Sequence, residues 1–126
     1  MSAFPSIVSV DDHVIEPADL WRRWLTRKHR DDGPRIVRMP WEFGRGFRQN
    51  FRPASSGPET DFWVVGDIVQ GISLSAAAVG FAAKEISSQP ISFHEMRPGC
   101  YDPQARLLDM DVVNVERSLC FPNFAR

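Results

Sequence analysis

Apolar and polar positions alternate in blocks that predict a first strand followed by a helix. The apolar run that ends at Val10 predicts a strand over about Ile7–Val10, and a polar tip follows it. A helix is expected from about Pro17, since proline fits the first helical position, where its missing N–H would be unpaired anyway. The helix should end before the breaker cluster at residues 31–34. Its predicted apolar stripe consists of Leu20, Trp21, Trp24 and Leu25.

The C-terminal part of the chain shows a helix pattern and then a strand pattern. Asp102 is a candidate N-cap for a helix that begins at Pro103. Asn114 is expected where this helix ends, because asparagine tolerates the left-handed conformation that is common there. The apolar segment 117–122 predicts a buried strand, in which Cys120 is a small core residue. The helix should turn one stripe towards the core, namely Ala105, Leu108, Val112 and Val115.

The middle of the chain is predicted to be an insertion. Residues 35–38 and 61–67 are strand candidates, and the Gly, Pro and Ser residues between them suggest a loose hairpin. Residues 71–83 are small and apolar without clear alternation, and they predict a loop. The expected organisation is one segment, 1–126, in three parts: a first βα unit (1–33), the insertion (34–95), and a second helix and strand (96–126).

Composition excludes several classes of function. The 126 residues have a formal net charge of −1 and are 43% hydrophobic, so we expect a folded core and no nucleic-acid or anionic-membrane partner. No window approaches the roughly 18 apolar residues that a membrane span needs. Cys100 and Cys120 have the spacing of neither a metal knuckle nor a redox motif. Because the N-terminus lacks the basic and apolar regions of a signal peptide, a cytoplasmic setting is expected.

The polar tip after the first strand carries the most informative pair of side chains. Asp11 and His13 stand at positions i and i+2, and residues with this spacing lie on the same face of a strand. An imidazole and a carboxylate on one face form half of a site for Zn²⁺, Mn²⁺ or Fe²⁺. A polar strand-to-helix turn, in which an aspartate caps the helix, accounts for the same residues. Glu16 can cap the helix, ligate the ion or simply begin the helix, and it is also a candidate for the substrate pocket.

A second polar cluster lies near residue 95. His94 can carry a proton or add a metal ligand, and an ordinary surface-loop histidine is the alternative. Arg97 can pair with a substrate carboxylate, or Arg97-Pro98-Gly99 can be a plain turn. Asn123 and Arg126 follow the second strand, at the end where a pocket wall is expected.

Two segments of the chain resemble one enzyme family. Residues 10–21 (V-D-D-H-V-I-E-P-A-D-L-W) resemble the opening of the amidohydrolase-2, or aminocarboxymuconate-semialdehyde decarboxylase-like, family. Residues 96–111 (M-R-P-G-C-Y-D-P-Q-A-R-L-L-D-M-D), continuing to C-F-P-N-F at 120–124, resemble the second βα unit of its actinobacterial-type members. The resemblance implies an α/β fold, namely the first two βα units of a (β/α)₈ TIM-like barrel with an inserted loop or hairpin. It also implies that Asp11 and His13 are ligands of one or two divalent metal ions.

The chemistry implied by the resemblance is hydrolysis of a C–N bond or non-oxidative decarboxylation of a small molecule. An oxygen-activating role, as in some dinuclear relatives, is one alternative, and a non-catalytic assembly subunit is another. The family takes further ligands from later strands that these 126 residues do not contain, and a complete barrel needs about 250 residues. We therefore expect the N-terminal part or small subunit of a metal-dependent enzyme, active only when a second chain or self-association completes the barrel.

Overall fold

The fold consists of two units. The computed structural model of the protein describes residues 5–45 and 51–125. The two ends of this described chain, residues 5–17 and 97–125, form the first unit, and the residues between them form the second. In chain order the elements are β1 (Ile7–Val14), α1 (Leu20–Trp24), β2 (Arg35–Phe43), β3 (Phe51–Pro53), β4 (Glu59–Val65), β5 (Ile68–Gly71), α2 (Pro103–Val112) and β6 (Val115–Pro122). Short 3₁₀ turns cover Arg27–His29, Leu74–Ala76, Ala83–Glu85 and Pro98–Cys100.

The first unit contains a two-stranded parallel sheet formed by β1 and β6. The two strands stay paired as far as Val14 and Pro122. The register shifts between Ser9 and Asp12, as it does at a β-bulge. β1 ends at Val14 rather than at the predicted Val10, so the polar tip belongs to the strand itself.

Three local predictions for the C-terminal part are confirmed. The helix begins at Pro103, and the carboxylate of Asp102 accepts the backbone N–H of Gln104 at 2.8 Å. Asn114 follows the helix with a φ of 57°, in the left-handed region. The predicted strand after it is β6, but no residue of β6 is buried, so the burial predicted for this strand is wrong.

The side of α2 that packs against the rest of the first unit is not the side that the apolar stripe predicted. Leu108 is 68% exposed and Val112 is 83% exposed, so the prediction that they face the core is wrong. Arg106 and Asp109 are half-buried instead, and both form ion pairs within the first unit. Because these ion pairs hold the polar side of α2 against the unit, its apolar side is left at the surface. Cys120 of β6 is also exposed, contrary to prediction.

The second unit is built on a four-stranded antiparallel sheet with the strand order β3-β2-β4-β5. The strand candidates at 35–38 and 61–67 correspond to β2 and β4, which pair with each other. Gly66 and Asp67 join β4 to β5, and Gly66 has a φ of 52°, as tight hairpin turns require. The buried apolar side chains of this unit are Phe51, Phe62, Trp63, Ile72, Leu74, Ala77, Ile91 and Met96.

The predicted pair of βα units from a (β/α)₈ TIM-like barrel is wrong. Strands predominate in the described residues, as a curled antiparallel sheet and a small parallel sheet, and they do not alternate with helices. α1 has only five residues, in place of the longer helix predicted from Pro17, and Trp24 at its end is 75% exposed. The strands β2–β5 then follow one another, because antiparallel neighbours need only short turns and no crossover helix. Across residues 5–45 and 51–125, neither α-helix has the length and apolar character that a bilayer crossing requires.

Candidate functional site

Asp11 and His13 lie beside each other on one exposed face of β1. Nε2 of His13 is 3.6 Å from Oδ1 of Asp11, and the two side chains are 48% and 82% exposed. The ring of His13 also lies 6.0 Å from the ring of Phe121 on β6, measured between centroids. Within the described residues, no other hydrogen bond or ion pair engages the carboxylate of Asp11 or the imidazole of His13. Both groups are therefore accessible to an ion from solvent.

The separation of these two atoms fits two ligands of one divalent ion. With metal–ligand bonds of about 2.1 Å and a tetrahedral angle, neighbouring ligand atoms lie about 3.4 Å apart. The observed 3.6 Å is close to that value. Within the part of the chain that the structure describes, no group of three or more His, Cys, Asp or Glu side chains is arranged to hold an ion. The described residues thus offer half of a four-ligand site.

Asp12, between the two candidate ligands, points to the opposite face of β1. Its carboxylate accepts hydrogen bonds from the hydroxyl groups of Ser118 and of Ser9, the latter at 2.7 Å, and lies 3.2 Å from Nη2 of Arg106. The Ser118 hydroxyl does most to lower the pKa of Asp12 below its ordinary value, followed by Ser9, while burial opposes the shift and Arg106 adds to it. The charged Asp12 carboxylate therefore ties β1 to both β6 and α2.

Arg106 and Ser118 did not emerge from the sequence as site residues. Ser118 and Asp12 are 106 residues apart, so no local pattern connects them. The one available signal is an arginine next to the apolar stripe of a predicted helix, which indicates a charge that needs a partner. The identity of that partner depends on the parallel pairing of β1 with β6.

Glu16 is occupied by backbone groups. Its side chain is buried, and its carboxylate accepts the N–H of Phe124 at 2.8 Å and that of Ala125 at 2.9 Å. Among the roles predicted for Glu16, which include lining a substrate pocket, these contacts favour capping, although the capped segment follows β6 and is not the helix. A carboxylate held in this way positions the chain beyond β6.

Arg97 forms a two-point contact with Asp109 of α2. Its Nε and Nη2 atoms donate to the two carboxylate oxygens at 2.8 and 2.6 Å. The hydrogen bonds from Arg97 lower the pKa of Asp109, and those to Asp109 raise the pKa of Arg97. Gly99 allows this contact, because a Cβ atom there would lie 2.1 Å from Oδ2 of Asp109. The guanidinium predicted to pair with a substrate is therefore engaged inside the first unit.

His94 belongs to the second unit, whereas the candidate metal ligands belong to the first. Nδ1 of His94 is 3.2 Å from Oγ of Ser92 and 3.5 Å from Nη1 of Arg38. Ser92 is fully buried and donates both its hydroxyl and its N–H to the Glu95 carboxylate, and the N–H contact is the one that a capping box also contains. Burial favours a raised pKa for Glu95, but the hydrogen bonds from Ser92 and the charges of His94 and Arg38 lower it. The contacts of His94 are thus those of a turn-stabilising cluster.

The remaining predicted pocket residues follow β6. Asn123 is half-buried and lies at the end of the parallel sheet where β1 also ends. Arg126 lies outside the described residues. An open groove of about 430 Å³ between α2 and β6 is lined by other side chains, among them Arg106, Ser118 and Cys120.

The resemblance to the amidohydrolase-2 family rests on residues 10–21 and 96–124 alone. A scan against protein-family models and a search of curated proteins find no match to the chain. The geometry of β1 is therefore the main support for a metal-binding role, and the resemblance bears on the choice of reaction.

Proposed function

We propose that the chain supplies Asp11 and His13 to the divalent-metal centre of an amidohydrolase-like enzyme. The reaction is hydrolysis of a C–N bond or non-oxidative decarboxylation of a small carboxylate. The observation that carries the proposal is the approach of Nε2 of His13 to within 3.6 Å of Oδ1 of Asp11 on an exposed strand face. The resemblance of residues 10–21 and 96–124 to the amidohydrolase-2 family supports the choice of reaction.

The roles of the residues follow from their contacts. Asp11 and His13 bind the ion, Zn²⁺, Mn²⁺ or Fe²⁺, because a carboxylate and a neutral imidazole suit these metals. A bound divalent ion would supply Lewis-acid activation of water or hold a substrate carboxylate. Asp12 keeps the intervening backbone in place through Ser118 and Arg106. The further ligands come from outside the described residues of one chain.

His94 and Arg97 are not given a role at the reacting centre. His94 is engaged by Ser92 and Arg38, and Arg97 is engaged by Asp109.

A cytoplasmic setting is part of the proposal, since both cysteines are free thiols, as a reducing compartment favours.

A second candidate function is that of a non-catalytic assembly subunit. Its support is the exposed apolar surface of the first unit, since large apolar side chains at a surface mark sites of protein association. These exposed side chains are Ile7, Val8, Val10, Leu107, Leu108, Val112, Val113, Leu119 and Phe121. An assembly subunit would bind its partner through this surface, and the paired carboxylate and imidazole would have no functional role in it.

Metal binding separates the two functions. We expect the purified, metal-stripped chain to bind Zn²⁺ or Mn²⁺ in a calorimetric titration, and His13→Ala and Asp11→Asn to lose at least tenfold in affinity. His29→Ala and Asp67→Asn are matched controls, because they remove an exposed imidazole and an exposed carboxylate elsewhere. Equal binding by all five proteins, or binding by none, would remove the support for a metal centre and favour the assembly function.

A further inference from the structure

The candidate ligands on β1 lie beside an unpaired strand edge. Among the described residues, β1 pairs only with β6, so its second edge has free backbone donors and acceptors. Val10, which precedes the ligands on this strand, is 67% exposed. Open strand edges of this kind are sites for pairing with another chain.

We propose that β1 pairs antiparallel with β1 of a second copy of this chain, and that the two copies together bind one divalent ion. The inference rests on the proposed function, because it uses the same two ligands, and it names the source of the missing ones. The two-fold axis passes midway between the two Asp12 residues, each of which is the middle residue of the sequence acid-x-imidazole.

This register places a carboxylate of one copy directly opposite an imidazole of the other. In an antiparallel pair centred on residue 12, Asp11 stands directly opposite His13 of the partner subunit, and His13 stands opposite the partner's Asp11. Directly opposed residues have Cβ atoms about 4.5–5.5 Å apart, which is within reach of a shared ion. All four side chains lie on one face of the combined sheet, because residues 11 and 13 share a face of each strand.

The resulting ligand set is chemically coherent. Two imidazole nitrogens and two carboxylate oxygens suit Zn²⁺, Mn²⁺ or Fe²⁺. The absence of a third ligand among the described residues of one chain is then explained, because each copy supplies half of the set. An ion that accepts six ligands keeps two positions for water and substrate, so the shared site is compatible with catalysis.

The neighbouring residues also fit this pairing. Val10 stands opposite Val14 of the partner subunit, and the contact covers an apolar side chain that is exposed in one copy. The two Asp12 carboxylates meet at the axis, but each is already paired with Arg106 and hydrogen-bonded to two hydroxyl groups of its own chain. A second copy is favoured over an unrelated chain because an acid-x-imidazole strand is complementary to itself under a two-fold axis.

The test is the mass of the full chain in solution, measured by light scattering after gel filtration. In EDTA we expect a single chain, and with Zn²⁺ or Mn²⁺ alone we expect the mass to double with one ion bound per two chains. His13→Ala and Asp11→Asn should remain single chains in the presence of the ion, whereas the control His29→Ala should dimerise. Val10→Glu, which leaves the ligands in place but puts a charge on the pairing edge, should weaken dimerisation at least tenfold.

The outcomes distinguish this inference from the proposed function. One ion bound per single chain, without a change in mass, overturns the shared site and leaves the proposed metal centre standing with a different partner. No binding of either ion overturns both. A dimer that persists in EDTA and in His13→Ala shows association through another surface, and it also overturns the inference.

Discussion

Nη2 of Arg106 lies 3.2 Å from Oδ2 of Asp12, which ties α2 to the middle of β1. The guanidinium also approaches the carbonyl oxygen of Gly99, and its Nε atom is buried without a hydrogen-bond partner in the described residues. Asp12 is therefore the anion that balances a mostly buried cation. The backbone that carries both candidate metal ligands is held by this pair.

Replacing Asp12 should destabilise the fold markedly. Asp12→Ala removes two hydroxyl partners and leaves the charge of Arg106 unbalanced, so we expect a loss of about 2–3 kcal/mol in the free energy of unfolding. Urea denaturation measures the loss. Asp111→Ala, which removes an exposed carboxylate of α2, is the control and should change the free energy by less than about 0.5 kcal/mol. Equal stability of the two variants would show that Asp12 does not anchor β1.

Glu16 should control the order of the segment that follows β6. In Glu16→Gln, one acceptor oxygen and the negative charge that hold the N–H groups of Phe124 and Ala125 are lost. We expect these two amides to exchange with deuterium about tenfold faster, which corresponds to about 1.4 kcal/mol. Glu42→Gln, an exposed change in the second unit, should leave their exchange unaltered. Unchanged exchange in Glu16→Gln would contradict the capping role.

The Arg97–Asp109 contact predicts a loss of stability in acid. The pKa of Asp109 is lowered in the folded protein from its ordinary value of 3.8, mainly by the hydrogen bonds from Arg97. Its contribution is therefore present above that ordinary value and is lost as the pH falls through the lower folded value. The stability difference between the protein and Asp109→Asn, measured by urea denaturation, should shrink as the pH is lowered through this range. A difference that is independent of pH would rule out an ionic contribution from Asp109.

The two cysteines should differ in their reaction with thiol reagents. Cys120 is exposed, whereas Cys100 is buried, and burial raises the pKa of the Cys100 thiol. Because the thiolate is the reactive form, one thiol per chain should react rapidly with a disulfide reagent under native conditions. Cys120→Ser should abolish the fast reaction, and Cys100→Ser should preserve it. Two fast thiols in the native protein would indicate that the first unit opens around Cys100.

Local features were predictable because short-range effects determine them. The start of α2 at Pro103 follows from the cap that Asp102 provides, and the turn at Asn114 follows from the ability of asparagine to adopt a positive φ. The shared face of Asp11 and His13 follows from the two-residue period of a strand. These features depend on neighbours only a few residues away.

Local effects did not determine which side of α2 faces inward or how the strands of the second unit are arranged. Apolar spacing marked Leu108 and Val112 as core residues, but ion pairs of Arg106 and Asp109 turn the opposite side of the helix inward. In the second unit, the sequence indicated strands at 35–38 and 61–67 and a loose hairpin between them, but it did not indicate a four-stranded sheet with the order β3-β2-β4-β5.

The sequence by itself determined that an acid and an imidazole are two residues apart, a spacing that places them on one face wherever the backbone is extended. The structure then extended β1 to Val14, beyond the predicted end at Val10, so that both residues belong to the strand. The tertiary structure decided what surrounds them. Folding places the Ser118 hydroxyl within hydrogen-bond distance of Asp12, 106 residues earlier in the chain. It also places the Glu16 carboxylate against backbone N–H groups that follow β6. Within the described residues, the second edge of β1 has no partner strand. Such contacts join segments that are distant in sequence, and they form only when parallel pairing of β1 with β6 brings those segments together.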